Sequence, residues 1–387
     1  MTDFIDIPAR VGAVLTVDLD ALAANWRHLD RLSGPAECAA VVKADAYGVG
    51  LEEAAPALAA AGARTFFVAL PEEGIRLRHL LPHARIGILD GLFPAAESDY
   101  RAHDLIPVLN DLDEIARWST AARSAGRPLP AFVHLDTGMN RLGLGSADRT
   151  VLAAEPERLD GIEIAAFMSH FACADEPDHP MTAAQTATFL RALNYLPPGP
   201  ASLANSSGIF RGQETHFDMV RPGAALYGVN PTPETDNPMQ PVVRVDARIL
   251  SVRTVDSPET VGYGATHQVM GQARIATIAA GYADGLIRAM GNAGAVTIDG
   301  SACRIVGHVS MDLITVDVSH LAEEAVQPGD AAQLIGPDMP VDMVAAAADT
   351  IGYEILTALG RRYARRHVGG DAAVAPARHS PGRGAVA

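Results

Sequence analysis

From Cys38 to about Arg221 the chain repeats one unit, a short run of small, β-branched or otherwise apolar residues followed by a segment with apolar positions at helical spacing. This alternation constrains the fold more than any other feature, because strands that alternate with helices build a parallel sheet covered by those helices. The apolar runs are Cys38 to Val42, Thr65 to Ala69, Arg85 to Leu89, Leu105 to Val108, Pro130 to Leu135, Ile162 to Ser169, Ala201 to Ala204, and one near Phe217 to Arg221. Helical patterns cover Leu51 to Ala61, Pro71 to Leu80, Leu112 to Ala122 and Met181 to Leu193. Eight strands in this order predict an α/β fold of the (β/α)8 TIM-barrel type, with a doubly wound sheet as the alternative. In a barrel the chemistry lies at the C-terminal ends of the strands. Lys43, His170 and Arg221 all fall at such ends.

Ahead of the barrel, Leu15 to Val17 reads as a strand, and Asp18 or Asp20 can cap a helix over Ala21 to Leu32. After Asn230-Pro-Thr-Pro the texture changes. A linker runs to Pro241, and short alternating strands follow at Val242 to Val252, Ala273 to Ala279, Ala295 to Ile298, Leu313 to Val318 and Ala331 to Leu334. With Gly, Pro and Asp between them they predict a mainly β C-terminal domain, closed by a helix over Met343 to Thr350. The expected organisation is a barrel over 1–237, with residues 1–18 open to packing against the second domain, a β-rich domain over 238–370, and a disordered tail over 371–387.

Charge and cysteines narrow the function. The chain carries 46 Asp and Glu against 30 Lys and Arg, a formal net charge of −16, which disfavours nucleic acid and anionic membranes as partners. Three separate cysteines have no metal-ligand spacing and suit a reducing compartment. The N-terminus lacks the apolar segment of a secretory signal, and no run approaches the ~20 apolar residues of a membrane span. A cytoplasmic protein is expected, with no metal.

Lys43 closes an apolar strand, where desolvation lowers an amine's pKa and a neutral amine can attack a carbonyl to form a Schiff base. Read alone, it better fits a lysine whose stem snorkels from a strand end, as most such lysines do. Arg141, in the loop Asp136-Thr-Gly-Met-Asn-Arg, offers a planar fork suited to a carboxylate or phenolate. It also fits a surface loop, as His170 also fits a satisfied core histidine. Asn205-Ser206-Ser207-Gly208 and Arg221-Pro222-Gly223-Ala224 together suggest a phosphate cradle of hydroxyls and free N–H groups. Tyr263 and Tyr282, both beside glycines, read as turn anchors or proton carriers.

Val41-Val-Lys-Ala-Asp-Ala-Tyr-Gly-Val-Gly50 resembles the pyridoxal-phosphate lysine motif of the alanine racemases. Seven separate motifs in that family's order run from about Val17 to Tyr353. The resemblance implies that Lys43 carries pyridoxal 5'-phosphate and serves as one of two bases. Tyr263, in Gly262-Tyr-Gly-Ala-Thr266, would be the opposite base, reaching the site from the partner in a homodimer with shared active sites. Arg141 would contact the cofactor's phenolic oxygen and the substrate carboxylate, and His170 would bond to Arg221 at the pyridine nitrogen. An arginine there, in place of the usual carboxylate, keeps the ring unprotonated and restrains side reactions. The Asn205-Ser206 motif, the amides of Gly223 and Ala224, and Tyr47 and Tyr353 would hold the phosphate. Met311's amide and Tyr282 would hold and confine the substrate.

The implied reaction interconverts L- and D-alanine, for cell-wall peptidoglycan or for alanine catabolism. A broader-specificity racemase, another pyridoxal-phosphate enzyme on the same barrel, and a non-catalytic pyridoxal-phosphate carrier are the rivals. Two positions depart from the family. His134 stands where a carbamylated lysine often supports the arginine, implying a different support for Arg141. Ser310 stands where many members have cysteine.

Overall fold

The computed structural model describes residues 7–370, so the tail expected over 371–387 lies outside the described residues. Nine short strands form one parallel sheet in the order Glu37–Cys38, Met219–Val220, Ala201–Ser202, Ile162–Met168, Leu129–His134, Leu105–Leu109, Arg85–Ile88, Thr65–Val68, Ala40–Val41. Its outer members, Glu37–Cys38 and Ala40–Val41, are consecutive pieces of one extended segment interrupted at Ala39. The first piece pairs with Met219–Val220 and the second with Thr65–Val68, so the ring closes as an eight-position barrel. Backbone bonds from Ala39 N to Val220 O and from Val41 N to Pro222 O complete the seam, each 3.0 Å long. The barrel interior is packed rather than hollow. Phe67 and Phe132 meet inside at 5.0 Å between ring centroids, and Gly87 leaves the space, since a Cβ there would sit 2.5 Å from the Phe67 ring.

Helices cover the outside where the apolar spacing calls for them. Leu112–Ala125 is capped by Asp111, whose Oδ1 accepts the Glu114 N–H at 2.7 Å, and it buries Ile115, Trp118 and Ala122. Two further helices, Glu97–Ala102 and Ser146–Ala154, were not anticipated because each buries a single large residue and shows little apolar stripe.

The second sheet is organised by the 13-residue strand Val243–Val255. Along one half it pairs with Ala331–Ile335 and Ala13–Asp18, and along the other with Ala273–Ile278, which in turn pairs with Ile314–Asp317. The strand Ala13–Asp18 thus belongs to this sheet and leads straight into the barrel through the helix Leu19–Ser33, with Asp18 as its cap. Several elements here went unread in the sequence, among them the ribbon of Thr260–Val261 and His267–Gln268 that flanks Tyr263. Ala364–Val368 lies parallel to Ala13–Asp18, Ser301–Arg304 pairs with Ala295–Ile298, and helix Gly352–Ala358 carries Tyr353. The closing helix runs Val341–Ala347 rather than to Thr350. Most buried apolar residues of the barrel and the second sheet form one continuous core, and Val261, Val269, Ile275 and Val306 form a small separate cluster.

Candidate active site

Lys43 follows the strand Ala40–Val41 at the C-terminal mouth of the barrel. Burial lowers its pKa, with the charge of Arg141 acting in the same direction and Asp90 and Glu73 opposing. The chain then makes a turn that no residue pattern announces: Ala44, Asp45, Ala46 and Tyr47 all have φ between 52° and 55°, a left-handed turn without a glycine. Left-handed backbone costs an ordinary residue roughly 1–2 kcal/mol, so outside contacts must hold it. Glu73 accepts the Ala44 N–H at 2.7 Å, Asp45 accepts the Leu51 N–H at 3.2 Å, and Arg76 bridges Asp45 at 3.3 Å.

Arg141 ends a loop shaped by Asp136, whose Oδ1 accepts the N–H groups of Gly138 and Asn140. Its guanidinium is exposed and makes no hydrogen bond or ion pair among the described residues. His134 lies beneath this loop, with the Gly143 backbone against its ring. Asn110 Nδ2 donates to Val108 O, which leaves Asn110 Oδ1 to accept from His134 Nδ1 at 2.8 Å. The imidazole is therefore the Nδ1–H tautomer, and its Nε2 has no hydrogen-bond partner among the described residues. Burial, then Arg221, moves its pKa down to about 4, so it is neutral at physiological pH.

Arg221 is the most confined charge in the site, at 4% exposure. It donates to Ser202 Oγ, to Ser169 O at 2.5 Å and to Leu203 O at 3.4 Å. All three acceptors are neutral, and no carboxylate partners it among the described residues. Burial brings even this guanidinium down to about 10. His170 is held well below the ordinary histidine range by burial, then by Arg221 and Arg141. No hydrogen bond joins His170 to Arg221 among the described residues. Gln185 ties the two neighbouring loops, donating to His170 O at 2.8 Å and to Thr137 Oγ1 at 3.2 Å.

Ser206 Oγ accepts the N–H groups of Gly223 at 3.0 Å and Ala225 at 3.2 Å, which leaves its own proton to donate. Ala224 N has no partner among the described residues, and Asn205 Oδ1 shapes the turn by accepting from Gly208 N. Tyr47 closes on this cradle: a Cβ at Gly223 would lie 2.3 Å from its Oη. Tyr353 reaches the same place from the second sheet's side, edge-on to Tyr47 at 6.3 Å.

Lys43, Tyr47, Arg141, His170, Asn205, Ser206, Arg221, Gly223, Ala224 and Tyr353 therefore gather around the barrel mouth. Tyr263, Tyr282 and Met311 form a separate exposed group on the second sheet. Tyr263 is 72% exposed and its side chain makes no hydrogen bond or ring contact among the described residues. The Tyr282 and Met311 turns are joined by backbone bonds, Tyr282 N to Ser310 O and Ala283 N to Met311 O. Arg362 bridges both turns through Asp284 at 3.0 Å and Asp312 at 2.5 Å.

Sequence reading missed the supports: Ser169, Ser202, Gln185, Asn110, Tyr227 and Arg362. A signal existed for Gln185, which sits four residues before the buried Phe189 and so on the inward face of its helix. The others depend on which strands and turns become neighbours.

Comparison with known proteins covers most of the chain. Residues 17–231 match the family model "Alanine racemase, N-terminal domain", and residues 242–367 match "Alanine racemase, C-terminal domain". An alanine racemase of Rhodospirillum rubrum is 51% identical over 93% of this chain and 97% of its own. A catabolic alanine racemase of Agrobacterium fabrum is 48% identical over 92% of each chain. The solved alanine racemase of Bartonella henselae, with covalently bound pyridoxal phosphate, is 41% identical. It has a TM-score of 0.90 and covers 92% of this chain and 100% of that one. With a closed parallel barrel whose mouth gathers a desolvated lysine and arginines that have no carboxylate partner among the described residues, and with both halves matched in order, the chain belongs to the alanine racemase family.

Proposed function

We infer that the protein is an alanine racemase, interconverting L- and D-alanine with pyridoxal 5'-phosphate seated at Lys43. The observation that carries the cofactor is Arg221, a buried cation that among the described residues meets only neutral acceptors, at the same barrel mouth as a desolvated lysine. Such a guanidinium suits a ring nitrogen that offers a lone pair and no proton. The Ser206 hydroxyl, the unpartnered Ala224 N–H and Tyr47 suit a phosphate group, and the residues present fit the cofactor. When bound, it supplies an electrophilic aldehyde and a ring that stabilises negative charge at the adjacent carbon.

The chain's own residues then divide the work. Lys43, its amine made easier to deprotonate by burial, takes or returns the α-proton on one face. Tyr263 does so on the other face, and its exposure supports a role toward a partner subunit in a homodimer with shared sites. Arg141, an exposed cation with no ion pair among the described residues, receives the substrate carboxylate, and the Met311 amide, which lies with Tyr263 on the second sheet, joins it from the partner subunit. Tyr282 limits the side chain to about a methyl group. Arg221 opposes protonation of the ring nitrogen, which restrains side reactions. A cytoplasmic setting is part of this reading, and among the described residues no helix is long and apolar enough to cross a membrane.

The test is direct: cofactor-loaded protein is given L-alanine, with L-serine and L-arginine in parallel, and the D-enantiomers are assayed. D-alanine should form fastest. No D-alanine from loaded protein would refute the reading, and faster turnover of L-arginine would replace it with a broad-specificity racemase.

A further inference from the structure

Tyr227 ends the short turn Ala224–Tyr227 that starts at the phosphate cradle, and it touches the Lys43 segment on both sides of the lysine. Its hydroxyl donates to Val41 O at 3.0 Å, two residues before Lys43. Its ring stacks on Tyr47, four residues after Lys43, at 4.7 Å and 25° between planes. The side chain is fully enclosed, and its hydroxyl, with burial raising its pKa, stays a neutral donor. Val41 is gripped a second time by the same segment, through its N–H to Pro222 O at 3.0 Å. Gly223, at the head of that segment, lies against Tyr47 Oη.

Between the two contacts of Tyr227 lies the left-handed turn, whose conformation local preference opposes. An element that needs outside support responds to whatever fixes its supports. An anion held in the cradle would order Gly223, Ala224 and the turn to Tyr227. That ordering reaches Val41 and Tyr47 through one hydroxyl and one ring face.

We propose that Tyr227 is a positioning residue that makes the phosphate cradle and the Lys43 turn one unit, so that an anion in the cradle and an aldehyde at Lys43 favour each other's binding. The inference rests on the cofactor site proposed above and adds an energetic link between its two ends. Linkage requires the effect to be reciprocal.

The experiment splits the cofactor into two probes, pyridoxal without its phosphate and inorganic phosphate, titrated separately and together into cofactor-free protein. In the unaltered protein, saturating phosphate should tighten pyridoxal binding about tenfold, and pyridoxal should tighten phosphate by the same factor. Tyr227→Phe keeps the ring and removes the hydroxyl, and should cut that coupling about fivefold. Tyr227→Leu removes the stack as well and should bring it close to none. Near-isosteric Tyr227→Phe carries the test if Tyr227→Leu does not fold. Equal weakening of both probes in the variants, with the coupling factor unchanged, would reduce Tyr227 to a core residue and overturn the proposal. So would binding of both probes to the unaltered protein without coupling. No binding of pyridoxal to the unaltered protein would overturn the cofactor reading first, and this inference with it.

Discussion

Gly223→Ala tests the closeness of the cradle to the lysine turn. The added methyl carbon would stand 2.3 Å from Tyr47 Oη, 3.0 Å from its Cζ and 3.4 Å from Val41 Cβ. Tyr47 cannot withdraw easily, because Tyr227 is stacked on one side and Tyr353 meets it edge-on. Overpacking of this kind costs about 1–3 kcal/mol. Taken at about 2 kcal/mol, it weakens pyridoxal 5'-phosphate roughly 30-fold if the cost falls on the loaded state. The nearest offending atom is a single oxygen, so Tyr47→Phe should restore part of the loss. In the double variant the closest approach becomes the 3.0 Å contact with the ring carbon. The two substitutions should therefore fall short of additivity by about 1 kcal/mol or more. Titration of cofactor-free protein with pyridoxal 5'-phosphate, followed by absorbance, measures all four affinities, and thermal unfolding shows any share of the cost borne by stability. Gly145→Ala is the control, since its Cβ would meet nothing closer than 4.0 Å. The reasoning fails if Gly223→Ala behaves like that control, or if the costs of Gly223→Ala and Tyr47→Phe add within about 0.5 kcal/mol.

Arg221→Glu should favour protonation of the ring nitrogen and raise transamination relative to racemisation by about tenfold, one pKa unit of electrostatic bias. Product analysis after long incubation reads the ratio, and an unchanged ratio would place Arg221 away from the nitrogen. His134 has a folded pKa of about 4 against an ordinary 6.5. Between those values the unfolded chain takes up a proton that the folded chain refuses. Its effect on stability is therefore nil above about pH 6.5 and becomes a loss of roughly 3 kcal/mol as the pH falls to about 4. Urea unfolding at pH 7.5 and pH 5 measures the slope, which His134→Gln should flatten, and activity should not respond to added bicarbonate. Lys43→Ala and Tyr263→Phe should each lose most racemisation, yet a dimer mixed from the two should regain activity at the one site that holds both intact residues. Isolation of doubly tagged dimers tests this, and a dead, cofactor-loaded mixed dimer would mean that Tyr263 serves its own chain.

Lys43, His170 and Arg221 were readable because each stands where an apolar strand gives way to polar chain, and in a barrel all such points share one face. The supports were not readable for the opposite reason. Ser202 meets Arg221 only because two strands become neighbours, and Asn110 meets His134 across 24 residues of chain. The strand Ala364–Val368 reads Ala-Arg-Arg-His-Val and shows no alternation, since its place is decided by pairing with Ala13–Asp18. The left-handed turn was hidden most deeply. Ala44 to Tyr47 contain no glycine or asparagine to advertise positive φ, and only Gly48 and Gly50 nearby hint at an unusual path.

That turn also sets a chronology for folding. Its four residues together oppose their conformation by several kcal/mol, a large share of the 5–15 kcal/mol that holds a typical domain together. Part of what restrains it comes from the far end of the chain: Arg365 donates to Gly48 O at 2.8 Å, and Gly48 fits only because it has no side chain to strike Leu356 O. A barrel that forms before Leu356 and Arg365 are in place lacks these restraints. The reactive amine thus reaches its working pose only once the helix Gly352–Ala358 and the strand Ala364–Val368 have docked against the barrel, and capture of the cofactor reports that docking.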